Sequence, residues 1–203
     1  MEINTFKKFF NKKKILITGH TGFVGSNLSI VLSLFGANIL GYSLKKKYKG
    51  YLSNQPMFKK LIKTISDDIL NIKNYEKKII KFKPEIIIHL ASQPTVSEAY
   101  KDIKGTYLTN VLGTIELFEL IKKTPTVRQV LIFTSDKVYR NITGNILNEE
   151  SQLGGLDPYS SSKSSQDILA NSYKESFFKY TKNVTIVRAG NIIGGGDFEF
   201  TRL

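Results

Sequence analysis

The sequence contains no cysteine and only two histidines, His20 and His89. Disulfide staples and thiolate metal sites are excluded, and a metal centre built from imidazoles has too few ligands. A chain without thiols suits a reducing, cytoplasmic setting. Acidic residues are scarce as well: 17 Asp and Glu stand against 30 Lys and Arg, a formal charge of +13. Such a balance draws anionic substrates and polyanions toward the protein at low salt. Nucleic acid is nevertheless disfavoured as a partner, because lysine far outnumbers arginine, whose planar fork serves phosphate and groove recognition, and no Cys/His finger or RNA-binding aromatic signature occurs. Long hydrophobic runs are also missing. The opening "MEINTFKKFFNKKK" is basic without an apolar stretch of signal-peptide length, and no later window is apolar for long enough to span a membrane.

What is present is a regular alternation. At 203 residues and 41% hydrophobic, the chain can fill one core but not two, so residues 1–203 are expected to form a single domain, with 1–13 a basic N-terminal extension and 192–203 a loop. Short apolar runs at 14–18, 38–44, 61–65, 85–91, 127–134 and 184–190 read as strands. Helical spacing occupies 23–35, closed by Gly36, then 71–82, stopped by Pro84, then 106–122 and 159–180. The unbroken isoleucines of "EIIIHLA" imply a strand buried on both faces. The expected fold is α/β, a Rossmann-like doubly wound parallel sheet with helices on both faces.

Two motifs fall where such a fold needs them. In "GHTGFVG", Gly19 permits a tight turn, Gly22 lets backbone approach a pyrophosphate, and Gly25 allows close helix packing, with a helix N-terminus facing the phosphates. An acidic residue that would grip the adenosine ribose is missing at the end of the second strand, where the chain reads Tyr42, Ser43, Leu44, Lys45; this leaves NAD and NADP both open. Asp68 and Ile69 are placed to bracket adenine, although Asp68 equally suits a helix N-cap. Tyr159 and Lys163 in "YSSSK" lie four apart on one helical face, where an ammonium favours a phenolate able to take a proton from an alcohol. The run "LIFTSDKVYR" ends a buried strand in Thr134, Ser135, Asp136 and Lys137, at the end of the sheet where ligands bind.

With "IIIHLASQPTV", "TNVLGT", "DPYSSSK" and "RAGNIIGGGD", these segments resemble the extended short-chain dehydrogenase/reductases, and within them the CDP-glucose 4,6-dehydratase branch, over about residues 14–203. The resemblance implies NAD as cofactor and a nucleotide-diphosphate sugar, CDP-glucose, as substrate. It implies a catalytic set of Ser135, Asp136, Lys137, Tyr159 and Lys163, in which Tyr159 deprotonates the sugar C4 hydroxyl, Asp136 protonates the departing C6 hydroxyl if burial raises its pKa, and Lys137 stands where related enzymes carry a glutamate base. Around the dinucleotide it places Gly19, Thr21, Gly22, Phe23, Val24, Gly25 and Ser43, then Asp68, Ile69, Leu90, Ala91, Ser92 and Gln93, and on the far side Asn110, Thr134, Tyr159, Lys163, Ala189 and Asn191. His89 is expected along the same cleft, and Thr95 near substrate or the catalytic loop. Family members carry a further C-terminal part that contacts the nucleotide diphosphate, so most of that substrate-binding part is expected to be missing. The resemblance also implies a homodimer joined through helices 106–122 and 159–180. The alternatives are a sugar epimerase or reductase of the same family and a noncatalytic dinucleotide-binding fragment.

Overall fold

The computed structural model describes residues 3–45, 51–140 and 146–197. Six strands, β1 (Lys14–Thr18), β2 (Asn38–Ser43), β3 (Lys63–Ser66), β4 (Ile86–His89), β5 (Gln129–Phe133) and β6 (Asn183–Val187), are all parallel and lie in the order β3-β2-β1-β4-β5-β6. Chain order reverses between β1 and β4, and this opens a crevice at the carboxyl ends of those strands. The helices are α1 (Ile3–Phe10), α2 (Phe23–Leu34), α3 (Pro56–Leu61), α4 (Glu76–Phe82), α5 (Val96–Lys101), α6 (Ile103–Tyr107), α7 (Gly113–Lys122) and α8 (Pro158–Tyr173).

Strand periodicity divides the core into two layers. Ile15, Ile17, Ile39, Ile86 and Ile88 pack on one side with Ile30 and Leu32 of α2 and Phe58 of α3. Leu16, Leu40, Ile87 and Ile132 point the other way, against Leu117, Phe118 and Ile121 of α7 and Ala170 of α8. With both faces covered, every residue of β4 is buried, as its isoleucine run implied.

Several boundaries move, each for a local reason. Within the basic N-terminal extension, residues 3–10 form α1, whose Phe6 and Phe10 stack on Phe35 at 6.3 and 6.5 Å between ring centroids. Their helical spacing was masked by the interleaved lysines. Lys13 then bonds Glu85 at 2.6 Å. Pro56 in the first turn of α3 extends helix to Leu61, so the third strand starts at Lys63. The helix expected over 71–82 opens earlier, as a 3-10 segment Ile69–Tyr75, and α4 ends at Lys83 in the left-handed conformation, φ +58°. Gly36 closes α2 at φ +84°, the role its type suited. The long helices contain π-helical turns, Leu108–Leu112 between α6 and α7 and Lys174–Phe178 after α8. Residues 192–197 have no regular helix or strand, and the end of the loop, 198–203, lies outside the described residues. Among the described residues no helix is long and apolar enough to cross a membrane.

Candidate active site

A cleft of about 1050 Å³ opens at the carboxyl ends of the strands. One end is the glycine turn between β1 and α2. Gly19 sits at φ +72°, and a Cβ there would come within 2.6 Å of the Leu90 carbonyl carbon, so the turn after β1 and the loop after β4 meet only because that side chain is absent. Gly22 N–H donates to Gly19 O at 3.0 Å, which tightens the turn. A Cβ on Gly25 would strike Gly19 O and His20 Cα. No side chain caps α2, whose first-turn residues Phe23, Val24 and Gly25 line the cleft. Uncapped N–H groups at the start of a helix form a cradle for an anion, so this end fits the pyrophosphate of a dinucleotide.

The next wall is the end of β2. Ser43 Oγ accepts from Thr21 N–H at 3.3 Å and lies 3.0 Å from His20 Nδ1, while His20 Nε2 lies 3.0 Å from Thr64 Oγ1 and the ring stacks on Phe58. A Cβ on Gly41 would run into the His20 ring. Glycine in mid-strand thus admits a buried histidine that anchors the serine standing where an acidic residue was expected. Asp68 is an N-cap, its carboxylate accepting from Leu70 N–H at 3.0 Å, and it lines the cleft with Ile69.

At the opposite end, Ser135 caps a 3-10 turn, Asp136–Val138, its Oγ accepting from Lys137 N–H at 3.2 Å. The same hydroxyl donates to Asp136 at 3.0 Å. Asp136 N–H donates to Ala189 O at 3.0 Å and Thr134 N–H to Val187 O at 2.8 Å, tying the loops after β5 and β6 together. Asp157 caps α8 through Ser160 N–H at 3.0 Å, and Ser164 Oγ donates to Val138 O at 2.7 Å, so the helix carrying Tyr159 and Lys163 is fastened to the strand-end turn. Ser135, Asp136, Lys137, Tyr159 and Lys163 all line this cleft. One expectation is corrected here: the side chains of Asp136 and Lys137 are 52% and 45% exposed and 3.8 Å apart. They sit at the mouth of the cleft, and the burial invoked for Asp136 is not met.

Below the cleft floor lies a polar chain that the sequence reading did not assemble. Lys163 Nζ, 3% exposed by residue, donates to Phe133 O at 3.1 Å and to Gln166 Oε1 at 2.9 Å. Gln166 Nε2 donates to Thr114 Oγ1 at 2.9 Å. Thr114 commits its hydroxyl hydrogen to Asn110 O at 2.7 Å, so it accepts from His89 Nε2 at 3.0 Å as well. His89 therefore carries its proton on Nε2, and its Nδ1 accepts from Thr18 Oγ1 at 2.7 Å, while Thr18 Oγ1 accepts from Ala91 N–H at 3.2 Å. Burial, and secondarily the neighbouring Lys163, pushes the His89 pKa down to about 3, and burial pushes Lys163 down to about 7.

Three expected cleft residues face elsewhere. His89 is enclosed beneath the floor. Gln93 and Asn110 are absent from the lining. Asn110 accepts from Gln93 N–H at 2.8 Å and donates to Gln93 O at 3.2 Å and Ser162 Oγ at 2.9 Å. It lies in the π-helical turn, and clamps the loop after β4 to α8 from behind. Leu90, Ala91, Ser92, Thr95, Thr134, Ala189 and Asn191 do line the cleft. Gln166 and Thr114 were missed, although Gln166 lies three positions after Lys163 on the same helical face, a spacing that offered a signal.

The family model described as GDP-mannose 4,6 dehydratase matches residues 16–196. A CDP-glucose 4,6-dehydratase of Salmonella typhimurium is 38% identical over 97% of this chain and 57% of that protein, and a dTDP-D-glucose 4,6-dehydratase of Dictyostelium discoideum is 33% identical over 90% and 44%. The chain thus spans about half the length of the curated relatives it matches. Among solved structures, dTDP-glucose 4,6-dehydratase from Bacillus anthracis in complex with NAD aligns with a TM-score of 0.75 and 29% identity over 92% of this chain and 57% of that one. The glycine turn, the Tyr159/Lys163 helix and the strand-end cluster all lie within the matched span, and the chain belongs to the GDP-mannose 4,6-dehydratase family of the extended short-chain dehydrogenase/reductases.

Proposed function

We propose that this chain is the dinucleotide-binding and catalytic portion of a nucleotide-sugar 4,6-dehydratase acting on CDP-glucose with NAD. The observation that carries the reading is the single cleft lined by both the glycine turn and Ser135, Asp136, Lys137, Tyr159 and Lys163. The NAD complex of the Bacillus anthracis relative supports the cofactor, and the Salmonella typhimurium relative supports the substrate. Gly19, Gly22 and the first turn of α2 would hold the pyrophosphate, Asp68 and Ile69 the adenine end, and Tyr159, Lys163 and Asn191 the nicotinamide end. When bound, the nicotinamide would supply an acceptor for the C4 hydride of the sugar and a donor of that hydride to C6.

The chain's own residues handle the protons. Tyr159, with the Lys163 ammonium beside its helix face, takes the C4 hydroxyl proton as the C4 ketone forms. That ketone acidifies the C5 proton. The C5 proton passes to solvent at the open cleft mouth while the Lys137 ammonium stabilises the enolate that forms; Asp136, protonated from the same solvent, hands its proton to the C6 hydroxyl, which leaves as water, and C5 takes a proton back from solvent when the hydride reaches C6. The place of Lys137 at the cleft mouth, 3.8 Å from the Asp136 carboxylate, supports this electrostatic role.

Calorimetric titration with NAD and single-turnover mixing with CDP-glucose test the proposal together. Tyr159→Phe should slow hydride transfer to the dinucleotide by about 10²–10⁴-fold. Asp136→Asn and Lys137→Ala should permit that transfer yet stall release of water. Unimpaired elimination in both variants would make the strand-end pair structural, hydride transfer with no loss of water in the unaltered chain would favour an epimerase or reductase, and no NAD binding would remove the reading altogether.

A further inference from the structure

We propose that Gln166 is a positioning residue that sets the place and charge of the Lys163 ammonium, an inference that rests on the reading of Lys163 as part of the reaction site. Lys163 is three-pronged and has no fixed direction of its own; something must aim it. The amide of Gln166 is 0% exposed, and its orientation admits one assignment. As an ammonium, Lys163 Nζ can only donate, so the atom it meets is Oε1. Thr114 Oγ1 has already given its hydrogen to Asn110 O, so the atom it meets is Nε2. A flipped amide would face donor to donor at one end and leave no hydrogen for the bond at the other. The side chain is thus locked between α7 and α8, with its carbonyl dipole directed at the ammonium.

Two of the three Lys163 donors are engaged, by Phe133 O and Gln166 Oε1, and the third is left for a ligand in the cleft that Lys163 lines. Around it stand Tyr159 on the same helix, in the same cleft wall, and His89 on β4, held neutral by burial. Asp167, the next carboxylate along α8, is engaged by Arg188. Among the described residues no carboxylate offsets the burial of Lys163, whose pKa falls to about 7. The carbonyl of Gln166 is therefore the side-chain acceptor that favours the charged form against desolvation.

The test is the titration of the Lys163 side chain by NMR in chains labelled at lysine, with the signal assigned by its loss in Lys163→Arg. Gln166→Glu should raise the Lys163 pKa by about one to three pH units, because a carboxylate replaces a carbonyl. Gln166→Leu should lower it by about one pH unit, because the acceptor is gone. A residue that merely packs would not move the titration in opposite directions. Folded variants that titrate like the original chain, or both shift the same way, overturn the proposal. Gln166→Met serves the same purpose should the leucine variant fail to fold. In the unaltered chain, the Lys163 ammonium protons should exchange slowly with solvent at acidic pH, and exchange at the rate of an exposed lysine would also overturn it. None of these readouts needs the dinucleotide, so a chain that fails to bind NAD defeats the functional reading and leaves the role of Gln166 standing.

Discussion

His89 Nε2 lies 3.0 Å from Thr114 Oγ1, and the imidazole is wholly enclosed between β1, β4 and α7. With Thr18 donating to Nδ1 at 2.7 Å, protonating the ring would set donor against donor and place a charge in the core.

The first prediction follows from that geometry. His89 has a folded pKa depressed from 6.5 to about 3. Its neutral form is the one the fold accepts, so its contribution is complete above the unfolded pKa and is lost as pH falls from about 6.5 toward 3. Urea unfolding across that range should show stability dropping by up to about 1.4 kcal/mol per pH unit from this group. His89→Gln should flatten the slope there, and an unchanged slope would show that His89 is not the titrating group.

The second concerns Gly41. A methyl group there runs into the His20 ring, and the ring cannot move without releasing Ser43 and Thr64. Gly41→Ala should cost about 1–3 kcal/mol in chemical denaturation and weaken NAD binding by calorimetry, since Thr21 and Ser43 border the cleft. His20→Ala in the same background should recover part of the lost stability by vacating the space.

A third rests on Asp167, which Arg188 grips with two hydrogen bonds at 2.8 and 2.9 Å while Thr134 donates to it at 3.2 Å. The guanidinium also reaches Tyr139 at 3.0 Å and Glu149 O at 2.7 Å. One buried carboxylate therefore joins α8, β6 and the strand-end loop. Asp167→Ala should destabilise the chain by about 3–5 kcal/mol in urea melts, because it leaves a mostly buried guanidinium unpaired. A loss under 1 kcal/mol would assign the pair no structural weight.

The helices expected to join two copies expose Leu112, Ile168 and Phe177. A homodimer through these side chains should appear in sedimentation as a concentration-dependent mass, and Ile168→Glu should return it to the monomer mass. Monomer at all concentrations would refute the pairing.

The succession of strands and helices, the glycine turn and the Tyr159/Lys163 pair were legible from the sequence because each rests on local rules: the two-residue period of a strand, the left-handed turn at Gly19, the four-residue spacing on a helix. The resemblance to a family added the strand-end residues to that set. What no local rule contains is direction. Gln93 and Asn110 carry the same donors and acceptors whether they face a ligand or each other, and only the π-helical turn at Leu108–Leu112 turns Asn110 inward. Asp136 and Lys137 follow a buried strand, yet the 3-10 turn capped by Ser135 carries their side chains to the cleft mouth. His89, Thr114 and Gln166 come from three separate elements, and their chemistry exists only once β4, α7 and α8 are packed, since a buried polar atom takes its partner from whatever the fold brings against it. The periods of the chain determined which elements form and where the ligand end of the sheet lies; the packing of those elements determined which polar groups meet the ligand and which hold the wall behind it.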